Sequence, residues 1–392
     1  INNMKIVFTG AGGGHFYPLI AVAEKIKEEV QIQKIFEAEM FFFSDKSYNQ
    51  PLLDKYNIKF EKIPAGKLRL YFSLENFFDP LKVVAGFFVA LFKLFSIYPD
   101  VVFTKGGYAS LPVVFAARML FIPIFLHESD TAPGKTNLIT ARSAKRIAIS
   151  YASAAKYFDE AKTAYTGQPI MGEYLPTSDM LDKKYINFVN NLSKKEKPTL
   201  FVLGGSQGSE IINNMILESL KELLMKYKVI HQVGDNNFEK YKLASEVILK
   251  GDPHKDDYTF FATGDLGQYY EVADMAITRA GSSLFEFSSW GIPMIIIPFT
   301  VSNGNHALLN AYAFEQAGCG VVLEESNLRK NILLNIYLEL IISYNSLLNM
   351  IDSILSDKDR YETMRMSNIN GFKSGAADII AKEIVKIGLS HN

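Results

Sequence analysis

The stretch "FTGAGGGHFYPLIAV", residues 8–22, holds an apolar run that stops at Gly10, Gly12, Gly13 and Gly14, then resumes with helical spacing after His15. Glycine after a strand permits positive φ and close backbone approach, and the helix that follows offers unpaired amides and the positive end of its dipole. Such a turn suits a phosphate, and it equally lets a strand and a helix pack tightly with no ligand at all. The spacing "GAGGGH" is not the usual dinucleotide fingerprint, and no Walker-type "GK[ST]" follows. A phosphate held here would rest on backbone amides and dipoles. His15 has three readings at this position: general base, phosphate donor, or cap of the helix start.

The same punctuation recurs. "GGSQGS" at 204–209 follows the apolar run "TLFVL", and "TRAGSSLFEF" from Thr278 to Phe287 adds Arg279 before its glycine and Glu286 on the next helix. A glutamate in the first turn of a helix is stabilised by the dipole whatever its function, so Glu286 alone carries no ligand assignment. Around these turns short apolar runs alternate with helical patterns: "MKIVFTG", "MFFFS", "DVVFTKGG", "IPIFLHES", "RIAIS", then "TLFVLGGS", "YKVIHQVG", "YTFFA", "DMAITRAG", "PMIIIPF" and "CGVVLEE". Runs that are apolar on both faces read as parallel strands covered by helices on each side. The polar stretch Glu173 to Lys197 separates the two series and reads as a linker with a helix at most. After the second turn, Ile212, Met215, Ile216, Leu220, Leu223 and Leu224 line one face of a helix. The expected fold class is α/β, with two Rossmann-like domains facing each other across a cleft and ligands at the carboxyl ends of the strands. The boundaries expected are 1–170 and 171–374, with 375–392 a C-terminal amphipathic helix able to pack on either domain.

Composition narrows the function classes. In 392 residues, 41 Lys plus Arg nearly cancel 42 Asp plus Glu, so no global charge argues for nucleic acid. The lone Cys319 excludes a disulfide framework, thiol catalysis and a cysteine metal cluster, and fits a buried apolar role in a reducing compartment. Metal-ligand spacing is absent from all three turns, so neither metal nor cofactor is expected. The opening "INNMKIVFTG" runs straight into a strand, without the signature of a signal peptide. Asp274, on the polar shoulder of a strand start, reads as structural.

Taken together, "GAGGGHFYPLIAVA", "KGGYASLP", "PIFLHESDTAPGKTN", "LGGSQGSEIIN", "ITRAGSSLFEFSSWGIPMIIIPF" and "NAYAFEQAG" resemble the MurG family, in order and over nearly the whole chain. The resemblance implies the two-domain GT-B fold and inverting transfer of N-acetylglucosamine from UDP-GlcNAc to undecaprenyl-diphospho-muramoyl-pentapeptide. The acceptor would lie on the N-terminal domain and the nucleotide sugar on the C-terminal one. It implies His15 as the base, with Gly13 and Gly14 at the acceptor diphosphate loop and Tyr108, His127, Glu128 and Asp130 on the acceptor side. Gly12, Gly13, Gly14, His15 and Asp130 would also reach UDP-GlcNAc. On the donor side it implies Ser206, Gln207 and Asn213 at the second turn, Thr263 near the uracil, and Arg279 near the diphosphate. Gly281, Ser282 and Ser283 would form the helix start under the diphosphate, Glu286 would receive the ribose, and His306 or Asn310 the sugar.

Three departures from the family pattern stand out: Asp130 where asparagine is frequent, Met171 where an arginine usually follows "GNP", and Ala307 where a glutamine commonly contacts the sugar. The turn between Arg279 and Glu286 is also one residue shorter than usual. These bear on donor-sugar identity more than on nucleotide binding. The related readings are a UDP-sugar transferase with another lipid acceptor, a UDP-sugar epimerase, and a membrane-bound nucleotide-binding scaffold without turnover.

A lipid-linked acceptor implies a peripheral enzyme at the cytoplasmic face of the plasma membrane. Residues 80–98, "PLKVVAGFFVALFKLFSIY", are strongly apolar, but Lys82 and Lys93 interrupt them and argue against a spanning helix. An interfacial helix flanked by Lys67, Arg69 and Lys105 is expected, with Phe72, Phe77, Phe78 and Phe87 touching lipid. A buried helix of the first domain would satisfy the same pattern.

Overall fold

The computed structural model describes residues 3–33, 37–66, 75–194, 196–205, 207–299, 305–325 and 347–390. The chain divides into two units, Ile1–Gly172 with Lys373–Asn392, and Glu173–Phe372. Lys67, Arg69, Phe72 and Ser206 lie outside the described residues.

Unit 1 carries β1 (Met4–Gly10), β2 (Ala38–Ser44), β3 (Ile58–Lys62), β4 (Val101–Gly106), β5 (Ile124–Glu128), β6 (Arg146–Ile149) and β7 (Thr163–Tyr165). They form one sheet in the order β3-β2-β1-β4-β5-β6-β7, each neighbouring pair parallel. Unit 2 carries β8 (Thr199–Leu203), β9 (Lys228–Gln232), β10 (Tyr258–Phe261), β11 (Met275–Thr278), β12 (Met294–Ile296) and β13 (Gly320–Val322), ordered β10-β9-β8-β11-β12-β13 and again parallel. Both orders reverse direction beside their first strand, which makes β1/β4 and β8/β11 the switch points where doubly wound sheets open a crevice. The glycine turns of the sequence all leave one of these four strands. All eleven apolar runs form strands; β3 and β7 come in addition.

Helices cover both faces of each sheet. In unit 1 the helix Gly13–Ile32 packs against the C-terminal helix Ala376–Leu389, which buries Ile380, Ile384 and Val385. The chain therefore returns to its first unit. In unit 2 the expected helix after β8 breaks at Ser219, whose hydroxyl donates to the Met215 carbonyl at 2.7 Å. Two helices result, Glu210–Glu218 and Leu220–Lys226, and all six apolar residues expected on one face are buried.

The stretch read as a linker is mostly the helix Ser178–Ser193, opened by Thr177 accepting from the Met180 amide at 3.3 Å. It is part of the second core. Phe188 is buried and stacks on Tyr361 with ring centroids 3.8 Å apart. Polarity hid this, because only one side of the helix faces inward.

The helix Glu75–Ile97 also differs from expectation. Ala90 and Leu94 are buried, and Phe87 packs beside them against the core, so Phe87 does not head the exposed face. Leu81, Val84, Phe88, Phe92 and Phe95 do, Phe92 at 75% exposure. Phe77 and Phe78 fall in its first turn. Lys93 pairs with Glu61 on β3, and Lys82 lies 3.2 Å from Asp79. Lys105, expected at the surface, is fully buried on β4.

Phe188→Ala removes a stacked aromatic from a close-packed core, where such truncations cost about 3–5 kcal/mol. Calorimetry of the variant is expected to show a clearly lowered Tm for the transition containing unit 2; an unchanged Tm would return this segment to linker status.

Candidate functional site

The helix Gly13–Ile32 starts at Gly12, which holds φ +87°, and no side chain caps it. A Cβ added at Gly12 or Gly14 would meet no neighbour within 4 Å, so both face open space. First-turn amides beside open space are what an anionic group needs. His15 is partly buried, with Nδ1 3.0 Å from the Lys105 carbonyl oxygen. A carbonyl only accepts, so Nδ1 carries the proton and Nε2 keeps its lone pair. Burial, then the Lys105 charge, lower the His15 pKa, against an opposing pull from Asp130. The ring is neutral near pH 7.

What fixes this arrangement lies on β4. Gly106 holds φ +84°, and a Cβ there would sit 1.7 Å from Asn137 Oδ1. Only glycine allows Asn137 that close. Asn137 Nδ2 donates to Glu128 Oε2 at 2.7 Å, and Glu128 Oε1 accepts from the Asp130 amide at 2.8 Å. Burial and the neighbouring Asp130 push the Glu128 carboxyl up to about 7. Glu128 is thus a brace for the loop that carries Asp130.

His127 is fully buried, with Nε2 3.1 Å from the Gly167 carbonyl and Nδ1 2.6 Å from Lys105 Nζ. It lines no surface, both ring nitrogens being engaged inside the fold. Tyr108 donates to Asp45 Oδ2 at 2.6 Å, and Tyr48 to Asp45 Oδ1 at 2.9 Å. Asp45, at the carboxyl end of β2, was not singled out from sequence; its place directly after the run "MFFFS" is the signal that could have found it.

In unit 2 the second and third glycine turns open on one cavity of about 420 Å³, lined by Gly204, Gly208, Ser209, Glu210, Arg279, Ala280, Gly281, Phe299 and Ala307. Gly208 holds φ +74°, and a Cβ there would sit 2.0 Å from the Val233 carbonyl. Arg279 Nη1 lies 2.6 Å from Glu325 Oε1 and donates to the Ile297 carbonyl at 3.1 Å, while the guanidinium sits 5.6 Å over the Phe299 ring. Glu325 is fully buried. The arginine is therefore fixed in place with its charge partly matched.

Ser282 stands just before the helix Ser283–Ser289, and Gly281 faces open space. Glu286 on that helix accepts from the Tyr270 hydroxyl, and burial raises its pKa. Thr263 donates to Asp235 Oδ1 at 2.8 Å, and Gln207 is exposed on the second turn. Two of the residues named from sequence, Asn213 and Asn310, turn their side chains into the fold and away from the cavity. Asn213 is fully buried, donating to the Val233 carbonyl at 2.9 Å and accepting from His231 Nε2 at 3.0 Å. Asn310 is buried and donates to the Ala280 carbonyl at 3.4 Å. Met171 is buried in unit 1, and Ser206 is undescribed. Asn213 and Asn310 hold the turns that the ligand would meet. Ala307 lines the cavity, and His306 begins the helix His306–Gln316 with Nδ1 buried. Among the described residues, no group of three His, Cys, Asp or Glu could hold a metal ion.

The glycosyltransferase family 28 N-terminal domain matches residues 6–149, and the family's C-terminal domain matches residues 199–379. The UDP-N-acetylglucosamine–N-acetylmuramyl-(pentapeptide) pyrophosphoryl-undecaprenol N-acetylglucosamine transferase of Clostridium novyi is 32% identical over 97% of this chain and 99% of its own length. The transferase of the same name from Clostridium tetani is 34% identical over 92% of this chain and 99% of its own. Among solved structures, Acinetobacter baumannii MurG superposes with TM-score 0.66 at 20% identity, covering 98% of this chain and 100% of that one. The S. aureus MnaA–UDP complex superposes with TM-score 0.65 at 13% identity, covering 99% of this chain and 98% of that one. At such identities the superpositions establish the fold, while the sequence relatives establish kinship. Two family 28 domains in tandem, on two parallel doubly wound sheets, place the chain in the MurG family of glycosyltransferases.

Proposed function

We propose that the chain transfers N-acetylglucosamine from UDP-GlcNAc to the muramoyl hydroxyl of undecaprenyl-diphospho-muramoyl-pentapeptide, with inversion at the anomeric carbon. The observation that carries the reading is the His15 ring at an uncapped helix start, Nδ1 held by the Lys105 carbonyl and Nε2 left free. In this reading Nε2 takes the proton of the attacking hydroxyl as the new carbon–oxygen bond forms. The bond from the anomeric carbon to the diphosphate breaks, and UDP leaves with the electron pair. Arg279 and the amides at the start of the helix Ser283–Ser289 receive that charge, each well-placed donor contributing a few kcal/mol in a dry site. Because Glu325 already faces Arg279, the arginine acts through oriented N–H groups more than through a bare charge. Gly13 and Gly14 receive the acceptor diphosphate, Tyr108 and Asp130 flank it, and Glu286 receives the ribose. No cofactor enters this chemistry.

The same reading puts the chain at the inner leaflet of the bacterial plasma membrane. Among the described residues no helix is long and apolar enough to cross a membrane. Leu81, Val84, Phe88, Phe92 and Phe95 form an exposed apolar face instead, suited to the interfacial layer. Phe121, 88% exposed, holds φ +59°, a conformation that costs an aromatic residue energy and places it outward. Arg118, Arg142 and Lys145 line a cavity beside it, a charge pattern that suits anionic headgroups.

His15→Ala is expected to lower kcat about 10²–10⁴-fold while thermal stabilisation by UDP persists. Release of UDP from UDP-GlcNAc, measured with and without a short-chain muramoyl lipid, checks this, and wild-type turnover in the variant would remove His15 from the base role. Release that ignores the lipid would point to an epimerase or hydrolase. The double change Phe88→Glu, Phe92→Glu is expected to abolish co-sedimentation with anionic vesicles and to leave turnover of a water-soluble acceptor unchanged; undiminished sedimentation would move the membrane contact elsewhere.

A further inference from the structure

Lys105 is the charged member of a strand that otherwise reads Val101, Val102, Phe103, Thr104 and Gly106, and its side chain is 0% exposed. Its Nζ lies 2.6 Å from His127 Nδ1 and 3.4 Å from Gln168 Oε1, and it donates to Ser129 Oγ. His127 Nε2 donates to the Gly167 carbonyl at 3.1 Å, so its Nδ1 is the accepting nitrogen. Among the described residues the ammonium is thus met by three neutral acceptors and by no carboxylate in ion-pair contact. A buried cation without a paired anion opposes folding, whereas a methionine would fill the same space without that penalty. Something other than packing accounts for it.

Its main chain supplies a second fact. The Lys105 carbonyl accepts from His15 Nδ1 at 3.0 Å and, more weakly, from Asn137 Nδ2 at 3.5 Å. A Cβ on Gly10 would lie 3.6 Å from His15 Cβ and 3.7 Å from Lys105 Cβ, so the two residues meet across this glycine. We propose that Lys105 is a positioning residue for His15: its carbonyl selects the tautomer that leaves Nε2 free, and its buried ammonium sets the electrostatic surroundings of that ring. The consequence for catalysis rests on His15 being the base.

The charged and titratable groups around the ring act in two directions. Lys105 on β4 disfavours the imidazolium, and Asp130, in the loop after β5, favours it. His127 on β5 is itself held neutral by burial and by Lys105, and a charge on His15 would disfavour its protonation further. Glu128 on β5 and Asp130 support the lysine charge, while burial holds the lysine down to about 7. As pH falls through 7, Lys105 gains its proton, and its charge then resists protonation of His15. Activity would therefore persist to lower pH than an isolated imidazole allows.

The test uses the full chain with ¹³C,¹⁵N-labelled histidine, the His15 signals being assigned by their loss in His15→Ala. In the wild type the nitrogen shifts should show Nδ1 protonated; the opposite tautomer overturns the proposal without any further variant. In Lys105→Met the carbonyl bond remains and the charge is gone. The midpoint of the His15 titration should rise by about half to one pH unit. The acid limb of kcat/KM should move up with it, at unchanged KM for UDP-GlcNAc. An unmoved midpoint in a Lys105→Met protein that UDP still stabilises would overturn the proposal. If His15→Ala keeps full activity, the base assignment fails, and the NMR midpoint still decides whether Lys105 governs the ring.

Discussion

The close approach of β1 and β4 at their carboxyl ends governs the chemistry of unit 1. His15 and Lys105 face each other across Gly10, and Gly107, at φ +82°, lies so near Ala11 that a Cβ would come within 2.8 Å of the alanine Cβ. A side chain at Gly107 would part the two turns. His15 would then lose the carbonyl that orients it, and Asn137 its place against Gly106. The glycines therefore act by permitting contact between main chains, and the reactive geometry is a consequence of that contact. Flexibility is not their contribution here.

Unit 2 solves the matching problem differently. Its polar groups are already engaged: Arg279 with Glu325 and the Ile297 carbonyl, Glu286 with Tyr270, Asn213 with His231 and the Val233 carbonyl. A cavity whose donors are held before any ligand arrives reorganises little when charge develops, and low reorganisation is what makes fixed dipoles effective. The buried Glu325 lowers the net charge of Arg279 but fixes its fork. Orientation is retained at the expense of raw attraction for a diphosphate.

The sheets were legible because a strand buried on both faces must be apolar throughout, and a parallel strand must end where its turn residues begin. β3 is hidden because Ile58–Lys62 sits at an edge and carries the charged Lys59, Glu61 and Lys62, and β7 because Thr163–Tyr165 is too short to carry a pattern. The candidate site was legible in its glycines and in His15. What could not be read was which polar residues point inward. His127, Asn213 and Asn310 carry the right chemistry for ligand contact, yet each is engaged inside the fold, by a main-chain carbonyl and, for His127 and Asn213, by the side chains of Lys105 and His231. Lys105 was placed at a membrane edge since lysine is rarely buried, and only the tertiary neighbours of β4 reverse that expectation. In the helix Glu75–Ile97 every turn is apolar, so sequence alone gives no phase, and Phe87 and Phe88 are distinguished only by what packs behind them.

A buried ammonium and a buried carboxyl on adjacent strands, not paired with each other, are a costly way to build the middle of a sheet. Lys105 and Glu128 each sit near pH 7 in the fold, the first lowered and the second raised from their ordinary ranges. Linkage makes both shifts unfavourable to stability at neutral pH: the unfolded chain binds the lysine proton more tightly, and releases the glutamate proton more readily, than the folded one. The lysine's contribution improves as pH rises from 7 towards 10.5, and the glutamate's as pH falls from 7 towards 4.5. Neutral pH is thus where this pair weighs most against folding. The large parallel core of unit 1, closed by the returning C-terminal helix, is what tolerates the strain. The same layer that costs stability is the one that aims His15 and braces Asp130, so the energetic cost and the chemical use fall on the same few atoms.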